Sequence, residues 1–370
     1  MMRIGFLSVH NPYDRNSFSG TPYYMLRALE AQSGLEVRVL GRHSPPPTRL
    51  GGRLITRLES AVSGARRKDI GCEDIDDRGL HGIVAPVSSS LVAHLGDALT
   101  APVLLLTDAT PQFLREFYSK PIPPEADEAE ARALSRAVRV IYSSDYMAAR
   151  AQAEFPELAP SRIHVIPFGV NLDGLPETPP EKPPLDRLEL LFIGQDWVRK
   201  GGDIALATLD ALRDSGVAAH LTVIGATVPE ALADPDTTVL GYLDKNDSTD
   251  AARLAEALSH AHVLILPTRA DCTPMVVAEA NAHGCPVLIS DTGGIATLMD
   301  ARGRNGRMLP PGADGAAYAT ILRGMTTDPA AYRQLSKSSF EHCRTRLTWD
   351  VWARDIVTVL QDITKLEHIP

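Results

Sequence analysis

The chain has 370 residues, of which 44% are hydrophobic and 22% charged, and its formal net charge is −9. This length suits two ordinary domains with full cores, and the acidic balance argues against a nucleic-acid partner, which would require a basic surface. Four cysteines without a C-x-x-C pair indicate neither a zinc site nor a disulfide scaffold. The N-terminus MMRIGFLSV predicts a strand rather than a signal peptide, and no apolar run reaches membrane-span length, so we expect a cytoplasmic protein.

In the first half of the chain, apolar runs of strand length alternate with helical patterns, as in a doubly wound parallel sheet. The strand-like runs are Arg3–Val9, Val37–Leu40, Gly82–Val87, Val103–Leu106, Val138–Tyr142 and Ile163–Ile166. The clearest helical patterns are Tyr23–Gln32, Glu128–Arg136 and Tyr146–Phe155. The fold class predicted for residues 1–170 is therefore α/β, with a Rossmann-like domain.

Two turns of this half contain candidate site residues. The first βα turn, SVHNPYDRNSFSGTPYYM, includes Gly20 and Thr21 and resembles turns of many nucleotide-binding folds. It could equally belong to a nicotinamide dinucleotide site, but the motif G-x-G-x-x-G of such sites is missing after the first strand. The stretch LLLTDATPQF places Asp108 at the end of a strand. Asp108 is explained equally well as a carboxylate that orients a substrate hydroxyl and as the cap of the following helix.

Residues 42–68 contrast with the acidic whole. They contain seven cationic residues and only one acidic residue, Glu59. The cationic residues are Arg42, Arg49, Arg53, Arg57, Arg66, Arg67 and Lys68. Apolar residues recur at helical spacing in this segment, so it could lie peripherally on an anionic membrane surface. A basic helix packed on its own domain, with its arginines in water, is the slightly favoured alternative.

The second half begins after a proline-rich linker, predicted at residues 171–186, in which PETPPEKPP holds five prolines in nine positions. A second α/β domain follows at 187–348. Its predicted strands are Leu188–Ile193, Ala218–Ile224, Val239–Leu240, Val263–Leu266 and Val287–Ile289. Residues 349–370 contain an amphipathic pattern over Trp349–Leu366 that predicts one last helix.

Cations and glycines follow the first strand of this second domain, in LLFIGQDWVRKGG. The strand ends at Gly194, the loop contains Arg199 and Lys200, and Gly201–Gly202 open a helix. Paired cations beside a helix N-terminus suit a diphosphate. The alternative is that the two cations form a solvated surface pair.

Two carboxylates lie at a later strand–turn–helix junction, in VLILPTRADCTPMVVAEANAHGCPVLISDTGG. Asp271 lies in the loop after Val263–Leu266, and Glu279 lies on the helix predicted from Met275 to His283. Amide N–H groups at the start of that helix suit an anionic ligand. Carboxylates that bind sugar hydroxyls beside amides that bind phosphate predict a site for a nucleotide sugar.

This stretch resembles the signature of the retaining glycosyltransferases of family 4, P-S-x-x-E-G-F-G-x-x-x-L-E-A-x-A-x-G-x-P-V-x-x-S-x-x-G-G. The matching residues are Pro267, Glu279, Ala280, Ala282, Gly284, Pro286, Val287, Ser290, Gly293 and Gly294. Asp271 stands where the family has its first glutamate. IHVIPFGVNLD, at residues 163–173, is similar to the family's I-x-V-I-P-N-G-V-D.

The resemblance implies the two-domain GT-B fold, with two Rossmann-like domains facing across a cleft and the last helix returning to the first domain. It also implies that Lys200 stabilises the leaving diphosphate, that Gly20 and Thr21 approach it, and that Asp108 stands where many relatives have a histidine. The family's loop arginine is absent, since Gln195 occupies its place, and Arg199 is the candidate substitute. The substrate-binding residues implied are Gly20, Thr21, Gly194, Gln195, Arg199, Lys200, Leu243, Asp271, Cys272, Thr273, Met275, Val276 and Glu279.

The expected function is that of a retaining, metal-independent glycosyltransferase that moves a sugar from a nucleoside-diphosphate donor, preferably a UDP-sugar and otherwise a GDP-sugar, to a hydroxyl acceptor. The catalytic candidates are Asp271, Lys200 and Asp108, and no metal ligand or cofactor is expected. A sugar-nucleotide epimerase of the same fold and a catalytically silent nucleotide-sugar-binding protein are the alternatives. The sequence leaves the acceptor, which could be a glycan, a glycolipid or lipid-linked, and the oligomeric state open.

Overall fold

A computed structural model of the protein describes residues 1–43, 75–118, 121–229 and 234–366. The chain divides into two compact units. The first unit consists of Met1–Ile166 and the C-terminal residues from Trp352 onward, and the second is Pro167–Val351. The chain therefore passes between the units twice, after Ile166 and after Val351.

The described strands of the first unit form one parallel sheet of six, in the order β2-β1-β3-β4-β5-β6. They are β1 Met2–Leu7, β2 Leu35–Leu40, β3 Gly82–Pro86, β4 Val103–Thr107, β5 Ala137–Tyr142 and β6 Ile163–Val165. The helices of this part are α1 Thr21–Glu30, α2 Ser89–Leu95, α3 Pro111–Tyr118, α4 Glu125–Arg136 and α5 Asp145–Glu154. Every residue of β3 and β4 is buried, because helices cover both faces of such a sheet, and this explains their unbroken apolar runs.

The second unit contains another parallel sheet of six described strands, in the order β12-β11-β10-β7-β8-β9. They are β7 Leu188–Ile193, β8 Ala219–Ile224, β9 Thr237–Gly241, β10 Val263–Leu266, β11 Val287–Ser290 and β12 Gly306–Leu309. The helices are α6 Gly202–Asp214, α7 Ser248–His260, α8 Met275–Ala282, α9 Gly315–Thr327 and α10 Pro329–Arg346. The last helix, α11 Trp349–Leu366, spans the second passage between the units.

The predicted α/β class with two parallel sheets is confirmed, and each predicted strand is present with its ends moved by a few residues. The predicted helix Trp349–Leu366 has the bounds expected. Strand β12 was not predicted from the sequence. Its two central residues, Arg307 and Met308, are exposed at the edge of the sheet, so it lacks the apolar alternation that marks a strand.

The proline-rich residues 176–184 belong to the second unit. Lys182 Nζ donates hydrogen bonds to the carbonyl oxygens of Leu258 and Ser259, at 3.1 and 2.9 Å. Burial lowers the pKa of this lysine. These contacts fix the proline-rich segment against the C-terminal end of α7.

The two passages of the chain come together inside the second unit. Val170 N donates to Leu347 O at 2.9 Å, and the rings of Phe168 and Trp349 stack with their centroids 6.0 Å apart. Trp349 Nε1 donates to Asn171 Oδ1 at 3.0 Å. The start and the end of the second unit are therefore bonded to each other.

Most of the basic segment at 42–68 lies outside the described residues, and its contact with a membrane stays a prediction. No helix in the described ranges is long and apolar enough to cross a membrane.

Candidate functional site

The order of the second sheet marks one point as special. Strands β7 and β10 are neighbours and run parallel, but the chain leaves β7 toward β8 on one side and leaves β10 toward β11 on the other. In open parallel sheets such a reversal leaves a crevice at the carboxyl ends of the two strands, and ligands bind there. The loops that follow β7 and β10 contain Lys200 and Asp271, so both candidate residues stand at this crevice.

Glycines shape the loop after β7. Gly201, which caps α6, has φ +77°, and a Cβ there would lie 2.0 Å from the carbonyl oxygen of Pro267 in the other loop. Such a conformation and such an approach require glycine. A Cβ on Gly194 would lie 2.8 Å from Lys200 Cγ. The predicted glycines therefore let the two loops touch and let the Lys200 side chain lie along the end of β7.

Arg199 connects the same two loops. Its guanidinium Nη1 donates to the carbonyl oxygen of Ala270 at 2.8 Å and its Nε to Asp196 at 3.3 Å, while its own carbonyl oxygen accepts from Arg269 N at 2.7 Å. These contacts hold the Asp271 loop against the Lys200 loop. The predicted role of Arg199 as a phosphate clamp stays a prediction, and its bracing role was missed from the sequence.

Lys200 and Asp271 form an ion pair, with Lys200 Nζ donating to Asp271 Oδ2. The Asp271 side chain is 7% exposed and that of Lys200 13%. The sequence placed these two groups in loops 71 residues apart, and the structure brings them into contact.

Glu279 lies on α8, a helix whose residues from Val277 to Ala282 are all buried. Its Oε1 accepts a hydrogen bond of 2.6 Å from Lys245 Nζ. Lys245 was not predicted as a site residue. It follows β9 in the loop GYLDKND, at the carboxyl end of a strand parallel to β8, and that position is the signal that could have identified it.

The other predicted residues of this unit differ in exposure. Gln195 is exposed. Leu243 is buried in the core of the unit, and Cys272 and Thr273 are buried beside Asp271. Met275 and Val276 are half-buried at the start of α8.

Helix α8 begins after Pro274, which occupies its N-cap position. No side chain caps this end, so its first amide N–H groups are available to an anion. In the described part of the chain, no group of three or more His, Cys, Asp or Glu side chains is placed to hold a metal ion.

Gly20, Thr21 and Asp108 belong to the first unit. Gly20 has φ +91° at the start of α1 and follows two non-glycine residues with positive φ, Phe18 and Ser19. Strain of this kind concentrates at functional sites. Thr21 is buried and Asp108 is half-buried in the loop between β4 and α3.

Comparisons with known proteins agree with this architecture. Residues 100–363 match the family described as family 4 glycosyltransferases in conflict systems. A D-inositol 3-phosphate glycosyltransferase of Catenulispora acidiphila is 29% identical over 253 residues, which cover 60% of this chain and 58% of that protein. The chain thus spans less than two thirds of this curated relative.

Solved structures show the same fold. Sucrose-phosphate synthase from Thermosynechococcus elongatus superposes with a TM-score of 0.70 at 19% identity, covering 99% of this chain and 100% of that one. Anabaena HepE in complex with UDP and glucose gives a TM-score of 0.62 at 15% identity, covering 98% and 100%. The two parallel sheets, the paired loops at the crevice of the second and the family match lead to one conclusion: the chain belongs to the family 4 glycosyltransferases and has their GT-B fold.

Proposed function

We propose that this protein is a retaining, metal-independent glycosyltransferase that transfers a sugar from a nucleoside-diphosphate sugar to a hydroxyl acceptor. One observation carries the proposal: two buried carboxylates, Asp271 and Glu279, are each paired with a lysine at or beside the crevice at the carboxyl ends of β7 and β10. Carboxylates accept hydrogen bonds from sugar hydroxyls, and lysines attract phosphate. The arrangement therefore offers a nucleotide sugar both hydroxyl acceptors and cations within one unit.

Each group has a distinct task in this proposal. Glu279 binds the ribose hydroxyls, the Lys200 ammonium binds the diphosphate together with the amides at the start of α8, and Asp271 binds the hydroxyls of the transferred sugar. In the structure Lys200 contacts Asp271, and this contact supports the proposal that its charge serves the place where the diphosphate and the sugar join. The UDP seen in Anabaena HepE supports a UDP-sugar as the first donor to test.

The reaction proceeds on one face of the sugar. The bond between the anomeric carbon and the phosphate oxygen breaks, the acceptor oxygen bonds to the same face, and the acceptor proton passes to the leaving diphosphate. No side chain has to act as the general base. Lys200 opposes negative charge that grows on the leaving group, which lowers the barrier because the contact is strongest in the transition state.

The decisive experiment measures sugar transfer in the presence of EDTA. UDP-, GDP- and ADP-glucose serve as donors, and D-inositol 3-phosphate is the first acceptor because the Catenulispora relative is named for it. Donor hydrolysis or transfer that survives EDTA supports the proposal. Activity lost in EDTA and restored by manganese or magnesium would contradict metal independence.

The same assay separates the alternatives. An epimerase would convert the donor to its epimer without releasing nucleoside diphosphate, and a silent binding protein would bind a donor without changing it. The anomeric configuration of the product, read by NMR, tests retention directly.

A further inference from the structure

We infer that Lys245 is a positioning residue of the donor site: it holds one oxygen of the Glu279 carboxylate and thereby presents the other oxygen to the ribose hydroxyls. The inference rests on the proposed function, which assigns the ribose to Glu279. It adds a residue to which the signature motif gives no role and which lies 34 positions before Glu279 in the chain.

The contacts of Glu279 are unequal at its two oxygens. Oε1 accepts from Lys245 Nζ at 2.6 Å. Among the described residues none donates a hydrogen bond to Oε2. Oε2 is also not one of the fully buried atoms that lack a partner, so solvent can reach it. The Glu279 side chain as a whole is only 3% exposed. One open oxygen on a buried, fixed carboxylate is an acceptor placed for a ligand.

Lys245 is itself held in place. Its Nζ also donates to the carbonyl oxygen of Asn171 at 3.1 Å, and the Asn171 side chain accepts from Trp349 Nε1 at 3.0 Å. The neighbouring Val170 N is bonded to Leu347 O at 2.9 Å. The ammonium is thus anchored on one side to the junction where both passages of the chain meet, and on the other to Glu279.

Burial gives this pair its consequence. A carboxylate with so little exposure needs a partner charge, and removing one member of a buried pair leaves the other uncompensated. Without Lys245, the carboxylate would lose both its charge partner and the contact that sets its orientation. A hydrogen bond to a ribose hydroxyl depends on both, because its strength falls steeply with distance and angle.

The test measures how well the protein recognises the ribose. Calorimetry with UDP, GDP and ADP first identifies a nucleoside diphosphate that the wild-type protein binds, and its 2′,3′-dideoxy analogue is then compared. The readout is the ratio of the two dissociation constants. For wild type we expect a ratio of roughly 10 to 100, the value of a hydrogen bond to a charged group.

Lys245→Met should reduce this ratio to about 3 or less, because the contact with the carboxylate is then nearly lost. Lys245→Arg should keep most of it, since arginine can still donate to Glu279. The matched control is Lys182→Met, because Lys182 is, like Lys245, half-buried in the second unit but donates to backbone carbonyls rather than to a carboxylate. Its ratio should equal that of wild type.

A pair of further variants covers the case in which Lys245→Met fails to fold. Glu279→Ala removes the carboxylate that Lys245 holds, and Glu279→Ala combined with Lys245→Met should show the same ratio as Glu279→Ala alone. A ratio in folded Lys245→Met within twofold of wild type would overturn the inference, as would a clear additional loss in the double variant. A wild-type protein that binds none of the three nucleotides would overturn the proposed function itself.

Discussion

Both units bury carboxylates, but in opposite surroundings. In the second unit Asp271 and Glu279 each accept a hydrogen bond from a lysine. In the first unit Glu130 on α4 is equally buried, and the charges it senses are those of Asp127 and Glu154, both negative. Burial and these charges raise the pKa of Glu130 to about 7, opposed only in part by a hydrogen bond with Ser89.

The difference separates two uses of a buried acid. Burying a charge is costly unless a partner compensates for it, and in the second unit a lysine compensates for each buried carboxylate. In the proposed function these carboxylates accept hydrogen bonds from ligand hydroxyls. Glu130 has no such arrangement, and its Oε1 lacks a hydrogen-bond partner within the described residues. Glu130 avoids an uncompensated buried charge because its carboxyl group binds a proton more readily.

The largest effect should come from Lys200. In the proposed reaction the Lys200 charge opposes the charge of the leaving diphosphate, so Lys200→Ala should lower the turnover number by roughly a hundred- to a thousandfold. Steady-state kinetics with the best donor checks this, with Lys337→Ala as the control, because Lys337 is largely exposed. A higher donor Michaelis constant with unchanged turnover would show uniform binding instead.

Asp271→Ala should also act on turnover, since the sugar would no longer be held beneath the acceptor. We expect a fall of about tenfold or more, which is the lower range for losing a hydrogen bond to a charged group. Asp271→Glu restores the family residue and measures how closely the loop matches the shorter side chain. Full transfer activity in Asp271→Ala would show that this carboxylate does not hold the sugar.

Glu279→Ala should weaken donor binding more than it slows the chemical step. The loss of a charged hydrogen bond to the ribose corresponds to roughly a ten- to a hundredfold fall in affinity. Donor titration by calorimetry measures it, and thermal unfolding shows whether the variant remains folded. Unchanged affinity for the donor would assign the ribose to another residue.

The smallest effect concerns Glu130 and pH. Because its folded-state pKa is raised from 4.5 to about 7, its protonated form favours folding, and this contribution is full below pH 4.5 and is lost as pH rises through 7. Between pH 6 and 8 the free energy of unfolding of the wild type should fall by about 1.4 kcal/mol more than that of Glu130→Gln.

Urea unfolding of both proteins at the two pH values checks the effect of Glu130. Glu128→Gln on the same helix is the control, since the Glu128 side chain is 77% exposed. Identical pH profiles for wild type and Glu130→Gln would contradict the prediction.

Local patterns were enough to predict much of the fold and part of the site. Strands such as β4 and β10 are unbroken apolar runs, and Lys200 and Asp271 lie in loops that follow strands, where position alone implies a crevice. Lys245 was missed because its partner lies in another loop–helix junction and no spacing rule connects the two. The raised pKa of Glu130 was equally hidden, since it depends on which face of α4 is covered and on what stands nearby.

The bonded junction of Phe168, Asn171 and Trp349 also has a practical meaning for protein engineering. Because the second unit begins and ends at neighbouring points, its two ends already close on each other through Val170 and Leu347. A segment that begins before Pro167 and ends after Val351 would retain both crevice loops and both lysine–carboxylate pairs. It would also retain the hydrogen bond between Val170 and Leu347 that joins its two ends. Such a segment is a module for recombination between relatives, in which the second unit is exchanged without altering its internal contacts.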